Sequence, residues 1–169
     1  GFYTVPEFIE RVRIHAYEGG TSMSGNMAAV AGEAIGANYM PQRGFLPSEG
    51  LCRIEYACCH GGYWGVTARM IHIGEDMDPR VRSACADNLS LKMLALDMLR
   101  PGVACSDIHD PTVLCENMVI ALDVATLGPE GELLRSIDIY AVEKDGPRLL
   151  SWHRNWDMPY MITGFRSAH

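Results

Sequence analysis

The stretch from Leu51 to Gly74, LCRIEYACCHGGYWGVTARMIHIG, constrains this chain more than any other. It reads as two β-strands joined by a glycine turn. In the first arm Cys52, Ile54 and Tyr56 alternate with Arg53 and Glu55, the period of two that sends successive side chains to opposite faces. Gly61-Gly62 suits a tight turn, because glycine enters positive φ without strain. The return arm, Tyr63 to Ile73, is rich in aromatic and β-branched residues. An acid, Glu55, stands inside the first arm and a base, Arg69, inside the second. Charges inside an apolar hairpin are costly unless paired or used. Both could lie on a solvated face, or Arg69 could be an internal partner that holds Glu55.

The rest of the chain is arranged around this hairpin. Thr4-Val5-Pro6-Glu7 predicts a helix start with a capping box, and Gly19-Gly20 predicts its end. A second helix is predicted from Ser22 or Ser24 through Ala37, with Met27, Val30, Ala31, Ala34 and Ile35 as its apolar set. Pro41 to Gly50 reads as a loop. After the hairpin, Asp78-Pro79 opens a helix that Pro101-Gly102 closes. Val81, Cys85, Leu89, Met93, Leu96 and Leu99 form its apolar stripe, with Lys92 among the polar positions. Strands are predicted at Met118–Thr126, Leu134–Glu143 and Arg148–Ser151, and the aromatic tail from Trp152 should dock rather than fray. Helix, helix, hairpin, helix and then strands describe an α+β domain with an antiparallel or mixed sheet and helices on one face.

The 169 residues suffice for one domain, 1–169, with a core of its own. A formal net charge of −7 opposes general nucleic-acid binding, which needs a basic surface. No apolar run is long enough for a membrane span, and no signal peptide is visible. The cysteines form no Cys-x-x-Cys pair, so they read as reduced thiols of a cytoplasmic protein. Cys58-Cys59-His60 is contiguous, and neighbours in a strand point apart, which disfavours a shared zinc ion.

The central hairpin resembles the metal-site hairpin of the pita-bread hydrolases, the family of aminopeptidase P, prolidase, methionine aminopeptidase and creatinase. Glu55 matches the family's first acid, Gly62-Tyr63 its turn and Arg69 its arginine. Val66 stands where the second metal-binding Asp belongs, and Met70 replaces a Thr. Leu99-Arg100-Pro101-Gly102-Val103 is similar to the family's Pro-Gly turn, and Glu116-Asn117-Met118-Val119 to the segment that places Asp123 at a metal Glu. Arg135-Ser136-Ile137-Asp138 resembles an Arg-Ile-Glu-Asp motif and puts Ile137 at the last metal Glu. Asp145-Gly146-Pro147 matches the closing turn, and Asn38 lies where the family often has a catalytic His. The family's His-bearing segment is not found, since Ser106 leads almost directly to Met118, and its N-terminal domain is not found either. The resemblance therefore implies an apparently shortened pita-bread-like domain.

Two of five metal-binding acids or histidines do not hold a divalent transition metal, so no metal and no cofactor are expected. The resemblance to the creatinase and ectoine hydrolase branch implies metal-independent hydrolysis of a C–N bond in a small amide, amidine or Xaa-Pro-like compound. Glu55 and Asp123 should then converge from neighbouring strands on a cationic substrate, with Tyr63, Arg135 and Asp138 as further substrate-binding residues. His60 and His109 are the proton-handling candidates by residue type, and Arg69 is the third catalytic candidate. The alternative is a non-catalytic pseudoenzyme on the same fold, used for ligand binding or assembly. A homo-oligomer or a partner chain is expected, because a pita-bread sheet without its His segment bares a strand edge.

Overall fold

The structure, a computed structural model, describes residues 3–21, 23–30, 44–46, 48–104, 113–151 and 160–162; for 23–30 and 160–162 it describes the backbone alone. Helix α1 spans Val5–Glu18. Thr4 caps it, the Glu7 carboxylate accepts from the Thr4 backbone N–H at 2.8 Å, and Gly19 ends it, as the capping box predicts. Strand β1, Met23–Val30, lies where the sequence predicts a helix. It pairs antiparallel with Cys52–Cys59 along its whole length. Ladder bonds and sheet packing override helix propensity, which Gly25 already weakens. The rest of that predicted helix, with Asn38, lies outside the described residues.

Strands β2 (Gly50–His60) and β3 (Tyr63–Ile73) form the predicted hairpin, with unbroken antiparallel register. Gly61 and Gly62 have φ of 58° and 86°, as a two-residue turn of this hand needs. Helix α2, Pro79–Met98, has Asp78 as its cap. Strands β4 (Val119–Leu127) and β5 (Leu133–Glu143) form a second hairpin, β6 (Gly146–Leu149) adds to β5, and β7 (Tyr160–Ile162) runs parallel to the end of β3. The sheet is seven-stranded, with the order β1-β2-β3-β5-β4. The two hairpins meet at one pair, Ala68 opposite Ile137.

Helix α2 lies against the β4–β5 half. Leu99 and Leu114 pack with Leu122, Tyr140 and Val142 in the largest described cluster. The predicted stripe is kept except at Met93, with Val81 and Leu96 packed against buried clusters, and Asn88 and Lys92 are buried beside it. Cys85, Asn88 and Lys92 are buried, while Leu91, Met93 and Leu94 are exposed. Asn88 earns its place by donating to the Val124 carbonyl and the Thr126 hydroxyl and accepting from Ser136. The end of α1 meets the same side of the sheet, where His60 Nδ1 lies 2.7 Å from the Gly20 carbonyl.

The five described cysteines are unbridged. Burial pushes the Cys52 and Cys85 thiols up to about 11. Both favour the fold while protonated, so stability should fall as pH rises from the ordinary thiol range, about 8.5, toward their folded values. Iodoacetamide at about pH 8 should label exposed Cys115 in the native protein and reach Cys52 and Cys85 only on unfolding. Peptide mass mapping reads this, and rapid native labelling of Cys52 would contradict its burial. No described helix is long and apolar enough to cross a membrane.

Candidate functional site

Register decides which side chains can meet. Glu55 is opposite Ala68, Ala68 opposite Ile137, and Ile137 opposite Asp123. Directly opposed residues share a face, so Glu55 and Asp123 look out from one face at the ends of one row. They are not on neighbouring strands, since β3 and β5 lie between them. Arg53 and Arg135 lie two residues along β2 and β5 and share that face.

The gap between the acids is closed by Arg135. Its Nη1 donates to both Glu55 oxygens at 3.0 Å, its Nε donates to Asp123 at 2.9 Å, and its Nη2 also donates to Asp123. Hydrogen bonding to Asp123 and the two acidic charges hold the Arg135 guanidinium protonated more firmly than usual, against the effect of burial. Arg53 Nε lies 2.9 Å from Glu55, an ion contact without hydrogen-bond geometry, and Arg53 donates to the Leu133 carbonyl. Burial pushes the Arg53 guanidinium down, and Glu55 opposes this. Two acids and two guanidinia thus neutralise one another. A cationic substrate would have to displace Arg135, so the expected cation-binding acid pair is not open.

Asp138 and Arg69 face the other way. Asp138 is 0% exposed and accepts from Arg69, from Lys92 at 2.6 Å and from Ser151 at 2.9 Å. Arg69 also donates to the Ala68 and Ile137 carbonyls, across the seam between the hairpins. It is therefore no partner of Glu55, and neither residue can touch a substrate on the Glu55 face. Lys92, predicted as a polar surface position, is buried in this triad.

His60 points away from Glu55 and lies five strand residues from it, about 16 Å. His109 lies outside the described residues. His72 shares the Glu55 face by register but sits four residues beyond Ala68, about 13 Å along β3. It is buried, with Nδ1 unbonded among the described residues. Arg53, Lys92 and Ser151 are the members of these clusters that the sequence reading missed. The Arg53-x-Glu55 spacing signals the first, and Lys92, seven residues from both Cys85 and Leu99, lies on the apolar face of the helix.

Beyond the Glu55–Asp123 row lies a cavity of about 450 Å³. Trp64, Val66, Val119, Ile139 and Leu150 line it together with Tyr56, Cys58, Thr67 and Ser151, and Tyr63, 85% exposed, borders it. Val66 and Ile139 stand two residues from Ala68 and Ile137 on the Glu55 face, and Ser151, which donates to Asp138, lines the cavity from the other face, so it lies between the two ion clusters. No group of three or more His, Cys, Asp or Glu suited to a metal occurs among the described residues.

The profile of metallopeptidase family M24 matches residues 3–113. The X-Pro aminopeptidase of Thermotoga maritima superposes with a TM-score of 0.81 at 13% identity, over 94% of this chain and 55% of that one. A dipeptidase of Pyrococcus horikoshii gives 0.83 at 13% identity, over 94% and 55%. The prolidase of that organism gives 0.80 at 15% identity, over 91% and 56%. The chain thus spans little more than half of these structures. No curated protein matches the sequence.

Proposed function

The chain belongs to metallopeptidase family M24, and from that premise we propose that it is a pita-bread domain that needs no divalent metal and binds an apolar ligand. The observation that carries this reading is Arg135, whose guanidinium occupies both carboxylates that the resemblance assigns to metal. A divalent ion needs several oxygen or nitrogen donors. Here two donors are taken by a cation, and Val66 and Ile137 offer no donor. The described residues do not fit a metal. The cavity volume falls in the range of small-molecule sites, about 300–1,000 Å³, and its apolar walls suit a hydrophobic side chain or a proline ring.

Metal-independent cleavage of a C–N bond in a small amide, amidine or Xaa-Pro-like compound is the second reading; family membership and the X-Pro aminopeptidase and prolidase of the same fold favour the cleavage, and the occupied acids favour its independence of metal. Equilibrium dialysis against manganese, cobalt and zinc, followed by elemental analysis, should find substoichiometric metal. One ion per chain, bound together with peptidase activity, would overturn the proposal. Blocked apolar dipeptides should quench Trp64 fluorescence without being cleaved, and a Trp64→Phe variant assigns the signal. Turnover of an Xaa-Pro dipeptide by metal-free protein would establish the second reading instead.

A further inference from the structure

The two hairpins meet at Ala68 and Ile137 and at no other described pair. On one side of that pair the seam is filled. Met70 packs against Leu51, Cys85 and Leu134, and its Sδ accepts from the Arg135 N–H at 3.5 Å. On the other side, toward Gly65, the seam opens into the cavity. Buried main-chain groups need partners, and at this opening two hydroxyls supply them. Thr67 Oγ1 donates to the Ile137 carbonyl at 3.1 Å. Ser151 Oγ accepts from the Ile139 N–H at 3.2 Å and donates to Asp138 at 2.9 Å.

The partners force both directions. A carbonyl cannot donate, and neither can a carboxylate that holds an arginine and a lysine. A hydroxyl has one proton and two lone pairs. Thr67 has committed its proton and keeps both lone pairs. Ser151 has committed its proton and one lone pair and keeps the other. Both residues line the cavity, so what their hydroxyls still offer a ligand is a lone pair. The Cys58 thiol is a weak donor, and the Tyr56 hydroxyl is buried beside Thr21, which follows α1. The described lining holds no Asp, Glu, His, Lys or Arg, so an ammonium or a carboxylate would be buried there without a counter-charge. We infer that the cavity selects a neutral apolar compound with an O–H or N–H donor, such as an aliphatic or aromatic alcohol. This rests on the apolar-ligand reading and adds the donor to it. A donor aimed at Thr67 or Ser151 completes their hydrogen bonding. A ketone or ether oxygen aimed there meets lone pairs and loses its bond to water without replacement.

Three probes built on one ring test this by saturation-transfer NMR titration of the full chain at neutral pH: cyclohexylmethanol, its methyl ether, and cyclohexylmethylamine, which is then an ammonium. The alcohol should bind about tenfold or more tightly than the other two, the worth of about one net hydrogen bond. Thr67→Ser should keep that preference and Thr67→Val should reduce it. Gly65→Val should weaken every probe, because it fills the cavity. A Cβ at Gly65 lies 3.7 Å from Cys58 Sγ and 4.0 Å from Ile139 Cδ1, which is ordinary contact, so this variant should keep the fold. Alcohol and ether bound alike, and weakened alike by Gly65→Val, would overturn the donor inference and leave the apolar-ligand reading standing. An ammonium bound more tightly than the alcohol would overturn the inference too. No binding of any probe would overturn both readings. A preference for the alcohol that survives Gly65→Val undiminished would put the site elsewhere and overturn the inference as well.

Discussion

Asp138→Asn is expected to lower the unfolding free energy by about 3–5 kcal/mol, the cost of removing one partner from a buried ion pair. Asp138 is fully buried and accepts from Arg69, Lys92 and Ser151. Asn keeps the shape and removes the charge, so two buried cations lose their shared carboxylate. For a domain of this size, total stability is about 5–15 kcal/mol, and the melting midpoint should fall by roughly 6–20 °C. The damage should centre on the contact between α2 and β5, because Lys92 comes from the helix and Asp138 from the strand. A triple variant, Asp138→Leu with Arg69→Met and Lys92→Met, should recover most of the loss, since well-packed apolar residues often replace a buried ionic group without penalty. A melt of Asp138→Asn within a degree or two of wild type would show that the triad contributes nothing to stability.

The elements most legible in the sequence were those marked by local chemistry. Thr4 with Glu7, Asp78 with Pro79 and Gly61 with Gly62 each satisfy a backbone requirement within a few residues, so α1, the start of α2 and the first hairpin stand as predicted. β1 was missed because its identity is not local. Its eight residues are small and mixed, and the unbroken pairing with β2 makes them a strand. The burial of Asn88 and Lys92 was hidden for a related reason. An apolar stripe assumes an apolar sheet beneath it, but this helix covers Ser136 and Asp138 and so turns Asn88 and Lys92 inward.

The site was legible in its composition and not in its pairing. The resemblance brought out Glu55, Asp123, Arg135, Arg69 and Asp138 together, and the structure gathers them within one pair of hairpins. Which acid meets which base depends on parity along the strands. Glu55 opposes Ala68 rather than Arg69, so a single residue of offset sends Arg69 through the sheet to Asp138 and leaves Arg135 to Glu55. Sequence fixes that parity only once the register is known. The same offset puts Arg69 and Asp138 on the face that α2 covers and Glu55 on the other.

Glu55→Gln separates the two meanings of that face. In the structure Glu55 is nearly buried, accepts two hydrogen bonds from Arg135 and lies against Arg53, whose side chain is 4% exposed. Removing the charge leaves Arg135 with Asp123 but leaves Arg53 beside a second guanidinium with no acid between them. The expected loss is about 2–4 kcal/mol, below that of Asp138→Asn because Arg135 is partly solvated and its share is screened. Arg53→Met should restore most of it in the double variant, because Arg53 is the group left stranded. Arg69→Met should restore nothing, because it acts on the opposite face. Denaturant melts of the singles and doubles give both coupling energies. A carboxylate held in reserve for a cationic substrate behaves otherwise, since its neutralisation leaves the midpoint unmoved and abolishes binding. An unmoved midpoint for Glu55→Gln, together with lost affinity for an amidine, would show that Arg135 yields the acids to a ligand and would return the pair to substrate binding.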